Sequence, residues 1–284
     1  VTTRTSETVP AAVPVMRAAL VVPPSEAIAR AVPTHGESHA IADRAAELFA
    51  VFTARLRALG VTATELPASD APFGSACGDL AAAFPDGAFL MRPSDLSRRP
   101  ELAAVEAALG RANEPIVGRI AAPGLLDGGD VLRVGGTYYV GVPRVRRSEL
   151  GIPAVAHGNA LGRTSFAVAA RERGFAVVEV PYNADVLRLR SVAATIDDET
   201  VLVASGVLDA AAFSGCRLLE APRGEDLGAG VLSVGPRRVL ANLRFRKTLP
   251  LLRKAKVAVE VIDLWEFGKL GITPSLLALP IRTP

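Results

Sequence analysis

The sequence predicts an α/β protein built from about five repeats of a hairpin–helix–strand unit, each about 50 residues long. Three observations carry this. An alternating strand headed by glycine or lysine recurs after helical stretches: GVTATELP at 60–67, GFAVVEVP at 174–181 and KVAVEVID at 256–263. Paired strands with turn signals at their centres lie between these strands. They cover 78–91 (turn at Pro85-Asp86-Gly87), 127–142 (Gly135-Gly136), 187–204 (Asp197-Asp198) and 230–242 (Gly235-Pro236). The chain has 284 residues, 50% hydrophobic and 21% charged, enough for a large core in an ordinary globular composition. A doubly wound sheet also alternates strands and helices, but an all-parallel sheet contains no hairpins.

Residues 1–16 read as a flexible tail and 17–284 as a single domain. The apolar run RAALVV at 17–22 is the first strand, ended by Pro23-Pro24. A loop over 25–40 carries His35 and His39. An amphipathic helix over 40–59 follows, because Ile41, Ala45, Leu48, Phe49, Phe52 and Leu56 recur at helical spacing and Gly60 stops it. Further helices are expected at 99–111, 157–173, 207–213 (short) and 245–254.

Composition excludes several function classes. Net charge is +3, with Arg and Lys spread along the chain except for a dense stretch at 244–256 that reads as a solvated helix face, so nucleic acid is not expected as a partner. Cys77 and Cys216 have no metal-ligand spacing, and only His35, His39 and His157 are present, which argues against zinc. No glycine-rich phosphate loop follows a strand, so no nucleotide is indicated and no cofactor is expected. No segment reaches the ~20 apolar residues of a membrane span. The N-terminus lacks a basic region followed by an apolar core, and few cysteines suit a reducing compartment, so a cytoplasmic protein is expected.

The most informative stretch is Asp127-Gly128-Gly129-Asp130, which opens the hairpin DGGDVLRVGGTYYVGV. It resembles the central motif of the guanidino-modifying (pentein) superfamily, which comprises dimethylarginine dimethylaminohydrolases, arginine deiminases and amidinotransferases. The resemblance is nearest to the dimethylarginine dimethylaminohydrolases and extends over most of the chain. Arg92-Pro93 with Ser97-Arg98-Arg99-Pro100-Glu101 is similar to that family's TRPG…SRRGE stretch, Asp79-Leu80-Ala81 to its FVEDxAV, Arg188-Leu189-Arg190-Ser191 to its HLKS, and 271–279 to its GxxCxxL. What the resemblance implies is a five-bladed α/β propeller of ββαβ units around a pseudo-fivefold axis, with a small-molecule ligand in the central pore. A homodimer remains open.

The resemblance also implies a chemistry. Carboxylates grip a planar guanidinium through charge-assisted hydrogen bonds, a cysteine thiolate attacks its central carbon, and a histidine protonates the leaving amine before activating water. On this pattern Asp127 is an orienting or gripping acid, Asp79 a gripping acid, Arg92 a contact for a ligand carboxylate and Asp130 an acid that ties backbone amides. The chain departs from the pattern elsewhere. Arg188 stands at the histidine position, and arginine stays protonated near pH 7. Pro274 stands at the cysteine position, or Leu276 on an alternative anchoring; a one-residue slip would put Ser275 there, a poor nucleophile without an adjacent base. Gly78 replaces the glutamate before the aspartate, Phe73 an upstream aspartate, and Val145 an arginine, although Arg144 and Arg146 flank it. Arg144 is therefore a further candidate for substrate binding.

Cys77 lies two positions before Asp79 and, on a strand, would share its face; a lone cysteine is more often a small buried apolar residue. His35 sits in the loop that resembles a substrate lid, His157 fits a helix start, and Trp265 reads as core. Against the charges that the family pattern supplies, the pore is about three units more positive, which disfavours guanidinium. If Arg188 pairs internally with Asp127, the pore is self-neutralised; if not, Arg188 and Arg92 form a site for a carboxylate or phosphate. Three readings follow: a catalytically degenerate relative that binds a small, anionic ligand, a hydrolase on a guanidino or related C–N substrate with altered catalytic residues, or an interaction protein that uses only the scaffold.

Overall fold

The computed structural model describes residues 14–36, 38–144 and 157–282, and the expected unit is built five times in them, as five three-stranded sheets. In the first, β1 (Ala18–Val21) is followed by α1 (Ala42–Ala58), and β2 (Thr62–Glu65) returns parallel to β1. The second pairs β3 (Ala81–Phe84) and β4 (Gly87–Leu90) as a hairpin, crosses over through α2 (Glu101–Arg111), and adds β5 (Ile116–Arg119) parallel to β4. The third repeats this with β6 (Val131–Val134), β7 (Thr137–Arg144), α3 (Ala160–Glu172) and β8 (Ala176–Asn183). The short helix α4 (Leu189–Val192) then leads into the fourth sheet, β9 (Ala193–Thr195), β10 (Thr200–Ala204) and β11 (Arg217–Ala221). The fifth contains β12 (Leu232–Gly235), β13 (Arg238–Asn242), α5 (Thr248–Lys254) and β14 (Ala258–Ile262). After α6 (Trp265–Gly268) and α7 (Pro274–Leu277), β15 (Ala278–Ile281) pairs antiparallel with β1. The end of the chain thereby supplies the missing strand of the first unit and closes the ring.

The helices begin later than apolar periodicity alone predicts, and local chemistry explains two of the shifts. The Asn159 side chain accepts the Gly162 N–H at 2.9 Å, so α3 starts at Ala160 rather than 157. The Glu225 carboxylate accepts the amides of Lys247 and Thr248, so α5 starts at Thr248 rather than 245. The helix expected over 207–213 is a single 3-10 turn, Ala210–Phe213. Trp265 is half-buried rather than core, with the Arg244 guanidinium 5.7 Å from its ring. Met16, placed in the tail by the sequence, is buried and donates its amide to Val234 O. The rest of the expected tail at 1–13, together with Val145 and Arg146, lies outside the described residues.

Apolar clusters fill the spaces between units. One joins α3 to the second and third sheets through Phe84, Phe89, Tyr138, Phe166 and Phe175, with ring centroids 4.9–6.1 Å apart. The first strand of each hairpin, and β15 for the first unit, faces the axis. Each of these five strands follows one helical turn: Cys77–Asp79, Gly128–Asp130, α4, Asp226–Ala229 and α7. The five turns converge at one end of the axis; Asp79 and Asp130 lie in two of them, and Asp127 and Arg188 each stand immediately before one.

Candidate functional site

Asp79 is the hub of that ring. It is fully buried at the end of the turn Cys77–Asp79. Its Oδ1 accepts the Gly129 amide at 3.1 Å and Arg188 Nε at 3.3 Å, and its Oδ2 accepts Arg98 Nη1 at 2.7 Å. The approach of Gly129 explains the glycine pair: a Cβ there would lie 2.4 Å from Asp79 Oδ1 and 2.8 Å from Arg188 Cγ. The motif thus lets backbone come within hydrogen-bond reach of a carboxylate.

Arg188, at the start of α4, bridges the hub to the next blade. Its Nη2 lies 3.0 Å from Asp127 Oδ1 and its Nη1 donates to Leu187 O at 2.7 Å. Asp127 in turn accepts the Ser94 amide and the Ser94 hydroxyl. Asp130 accepts the Leu189 amide at 2.9 Å and the Tyr182 hydroxyl at 2.8 Å, which also meets His157 Nδ1 at 3.1 Å. Arg98 completes the network through Glu101, at 2.9 Å, and Ala76 O.

The electrostatics follow from three carboxylates sharing this buried space. Burial pushes Asp127 and Asp130 up to about 6, with Arg188 pulling both back down and Asp79 pushing them further up. Burial works against the Arg188 charge, but Asp127, Asp79 and Asp130 outweigh it and hold the guanidinium protonated well above its ordinary range. Burial lowers His157 and raises Tyr182.

The other predicted residues are spread around this network. Ser275, in α7, donates its hydroxyl to Arg190 O at 2.7 Å and lies 3.0 Å from the Thr273 hydroxyl, and among the described residues no histidine or carboxylate hydrogen-bonds it. Cys77 sits in a 3-10 turn rather than a strand, so alternation does not place it on the face of Asp79. Its thiol is fully buried against Leu80 and Leu279, and burial pushes it up to about 12. Arg92 is half-buried and donates to Gly124 O at 3.3 Å. Arg144, at the end of β7, is exposed and pairs with Asp209 at 3.2 Å. His35 is half-buried beside Thr34, and burial lowers it against the pull of Asp226 and Asp185. Among the described residues no group of three His, Cys, Asp or Glu side chains is placed to hold a metal ion.

Sequence reasoning passed over Arg98, Arg190, Ser94 and Tyr182 as site residues. Arg98 stood inside the quoted SRRPE stretch and Ser94 next to Arg92-Pro93, so both were within reach. Tyr182 gave no signal, because an alternating strand residue reads as core.

Five three-stranded sheets closed into a ring around a cluster of charged turns form the five-bladed α/β propeller of the guanidino-modifying enzymes. The dimethylarginine dimethylaminohydrolase of Pseudomonas aeruginosa, as a cysteine-to-serine variant complexed with citrulline, superposes with a TM-score of 0.81 at 22% identity, over 93% of this chain and 99% of that one. An amidinotransferase from Microseira wollei gives 0.76 at 13% identity, over 97% and 96%. No protein-family model matches the chain. In sequence, the chain is 33% identical over 266 residues to the N(G),N(G)-dimethylarginine dimethylaminohydrolase of Streptomyces coelicolor, covering 93% of this chain and 96% of that protein. The chain belongs to the dimethylarginine dimethylaminohydrolase family, as the sequence resemblance implied.

Proposed function

We propose that this protein is a catalytically degenerate member of its family, a pseudoenzyme for covalent guanidino hydrolysis that binds a small anionic molecule instead. The observation that carries this reading is the Arg188 guanidinium seated between Asp79 and Asp127. On the family pattern those carboxylates would grip a substrate guanidinium. In this chain Asp79 already accepts from two of the protein's own arginines and one backbone amide. A second guanidinium entering the same space would meet a like charge, with a repulsion of about 4 kcal/mol at ~4 Å near a protein surface. Proton transfer is equally hampered, because Arg188 is held charged and cannot exchange a proton near neutral pH. Cys77, the nearest thiol in sequence to Asp79, is buried and protonated.

Incubating the purified protein with dimethylarginine and with arginine, and assaying citrulline, should give no release above a protein-free control. Arg188→His alone should not restore release, since no thiolate stands ready to form the covalent intermediate. Robust citrulline formation by the unmodified protein would sink this reading. If that activity disappeared in Cys77→Ala, a relocated nucleophile would be the explanation.

A further inference from the structure

We propose that the axial channel behind the Asp79–Arg188 network is a binding site for a small inorganic or carboxylate anion, with Arg190 as its cationic floor. The proposal deepens the anion-binding part of the reading above and locates it away from Arg188 and Arg92. A cavity of about 200 Å3 runs along the axis between the inner strands. Every blade contributes wall: Ala81 to Ala83 from β3, Leu132 from β6, Ala194 and Thr195 from β9, Ser233 from β12 and Leu279 from β15. A cavity needs only roughly 10–15 Å3 on this measure to admit a water, so the space is ample for a small anion together with waters.

The charge of the lining has one sign. Among the described residues its only charged members are Arg133 and Arg190, and no acidic side chain lines it. The Arg133 guanidinium lies 4.9 Å from the Phe175 ring centre, on the apolar cluster between blades. Arg190 is half-buried and donates from Nη2 to Ser275 O. No carboxylate among the described residues pairs with it, in contrast to its neighbours Arg188 and Arg98. Burial without such a partner draws it down to about 10, opposed only by the more distant Asp79.

The missing partner has an address in the sequence. Gly78 lies beside Arg190, and a Cβ there would be 3.1 Å from Arg190 Nη1. The family pattern has a glutamate at that position. This chain therefore keeps a cation at the floor of the channel, lacks the carboxylate beside it, and leaves a cavity in front. A guanidinium so placed offers a fork of donors matched to a carboxylate or phosphate; the Thr195 and Ser233 hydroxyls on the walls donate to Arg133 O and Gly235 O.

The test is titration calorimetry of the full chain with phosphate, acetate and succinate, at ionic strength held constant with chloride, with thermal shifts as a second readout. At least one of the three should bind saturably and raise the melting temperature. Arg190→Met should weaken that binding about tenfold to a hundredfold, the loss expected for a charge-assisted contact, and Arg190→Lys should retain part of it. Gly78→Glu, which brings a carboxylate to Arg190, should abolish binding; it carries the test together with Arg190→Lys if Arg190→Met does not fold. Absence of saturable binding by all three anions would overturn the proposal, as would undiminished binding in Arg190→Met or Gly78→Glu. Binding lost in Arg92→Ala but kept in Arg190→Met would place the anion elsewhere and overturn it too. Citrulline assays on the same preparation separate the two readings. Anion binding together with citrulline release would refute degeneracy and leave the channel site standing. Neither binding nor release would do the reverse.

Discussion

Arg188 decides more than any other side chain. It is almost fully buried and faces two carboxylates, one of which, Asp79, shares its charge with Arg98. A buried pair contributes little net stability when intact, because desolvation offsets attraction, but removing one partner leaves the other uncompensated. Arg188→Met should therefore cost about 3–5 kcal/mol of unfolding free energy, read from the urea midpoint at unchanged slope. Adding Asp127→Asn should recover part of the loss, since the two positions are in contact and their effects should not add. A loss under about 1 kcal/mol for Arg188→Met, the range of exposed pairs, would mean that the guanidinium is solvated and not locked between the carboxylates.

The blades hold together through side chains that cross their boundaries. Phe166 on α3 is fully buried against Phe84 of β3, Phe89 of β4 and Tyr138 of β7, at centroid distances of 5.5, 5.7 and 5.3 Å. It thereby joins the second blade to the third. Phe166→Ala should cost about 3–5 kcal/mol, and calorimetry should show one lowered transition for the whole ring; an unchanged melting temperature would contradict this packing. The fold at this scale was legible in the sequence, and the reason is local. Turn dipeptides such as Gly135-Gly136 mark the hairpins, and alternation marks the returning strands. The short turns that precede the inner strands were not legible. Cys77, Gly78 and Asp79 carry no helical periodicity, and a three-residue turn is too brief to show one. The reading of Cys77 as a strand residue failed for that reason.

At the scale of the whole molecule, the ring brings together residues distant in sequence, such as Asp79 and Arg188, 109 positions apart. Motif position pointed to Asp79, Asp127, Asp130 and Arg188 as neighbours. It could not show that Arg188 would satisfy two of those acids at once, nor that Arg190 would be left without one, because pairing in a pore depends on which way each side chain turns. The shared burial of three acids has a consequence for stability. Asp130 rises from its ordinary 3.8 to about 6 in the folded protein. A raised acid binds more protons folded than unfolded between those values. Its contribution to stability is therefore fully present below about 4 and is lost as pH rises through about 6. Burial of His35 and His157 works in the opposite direction, because a histidine lowered by folding destabilises the protein as pH falls through 6.5. The acid is isolated by comparing the protein with Asp130→Asn, whose amide oxygen can still accept from Leu189 N and Tyr182 while carrying no charge to Arg188, Asp79 or Asp127. The histidines then largely cancel. Relative to the unmodified protein, the Asn variant should gain about 1 kcal/mol between pH 5 and pH 7, measured as the difference between urea unfolding free energies at the two pH values. A difference that is flat, or that favours the unmodified protein as pH rises, would show that Asp130 is ionised throughout and that the arginines, not burial, set its charge.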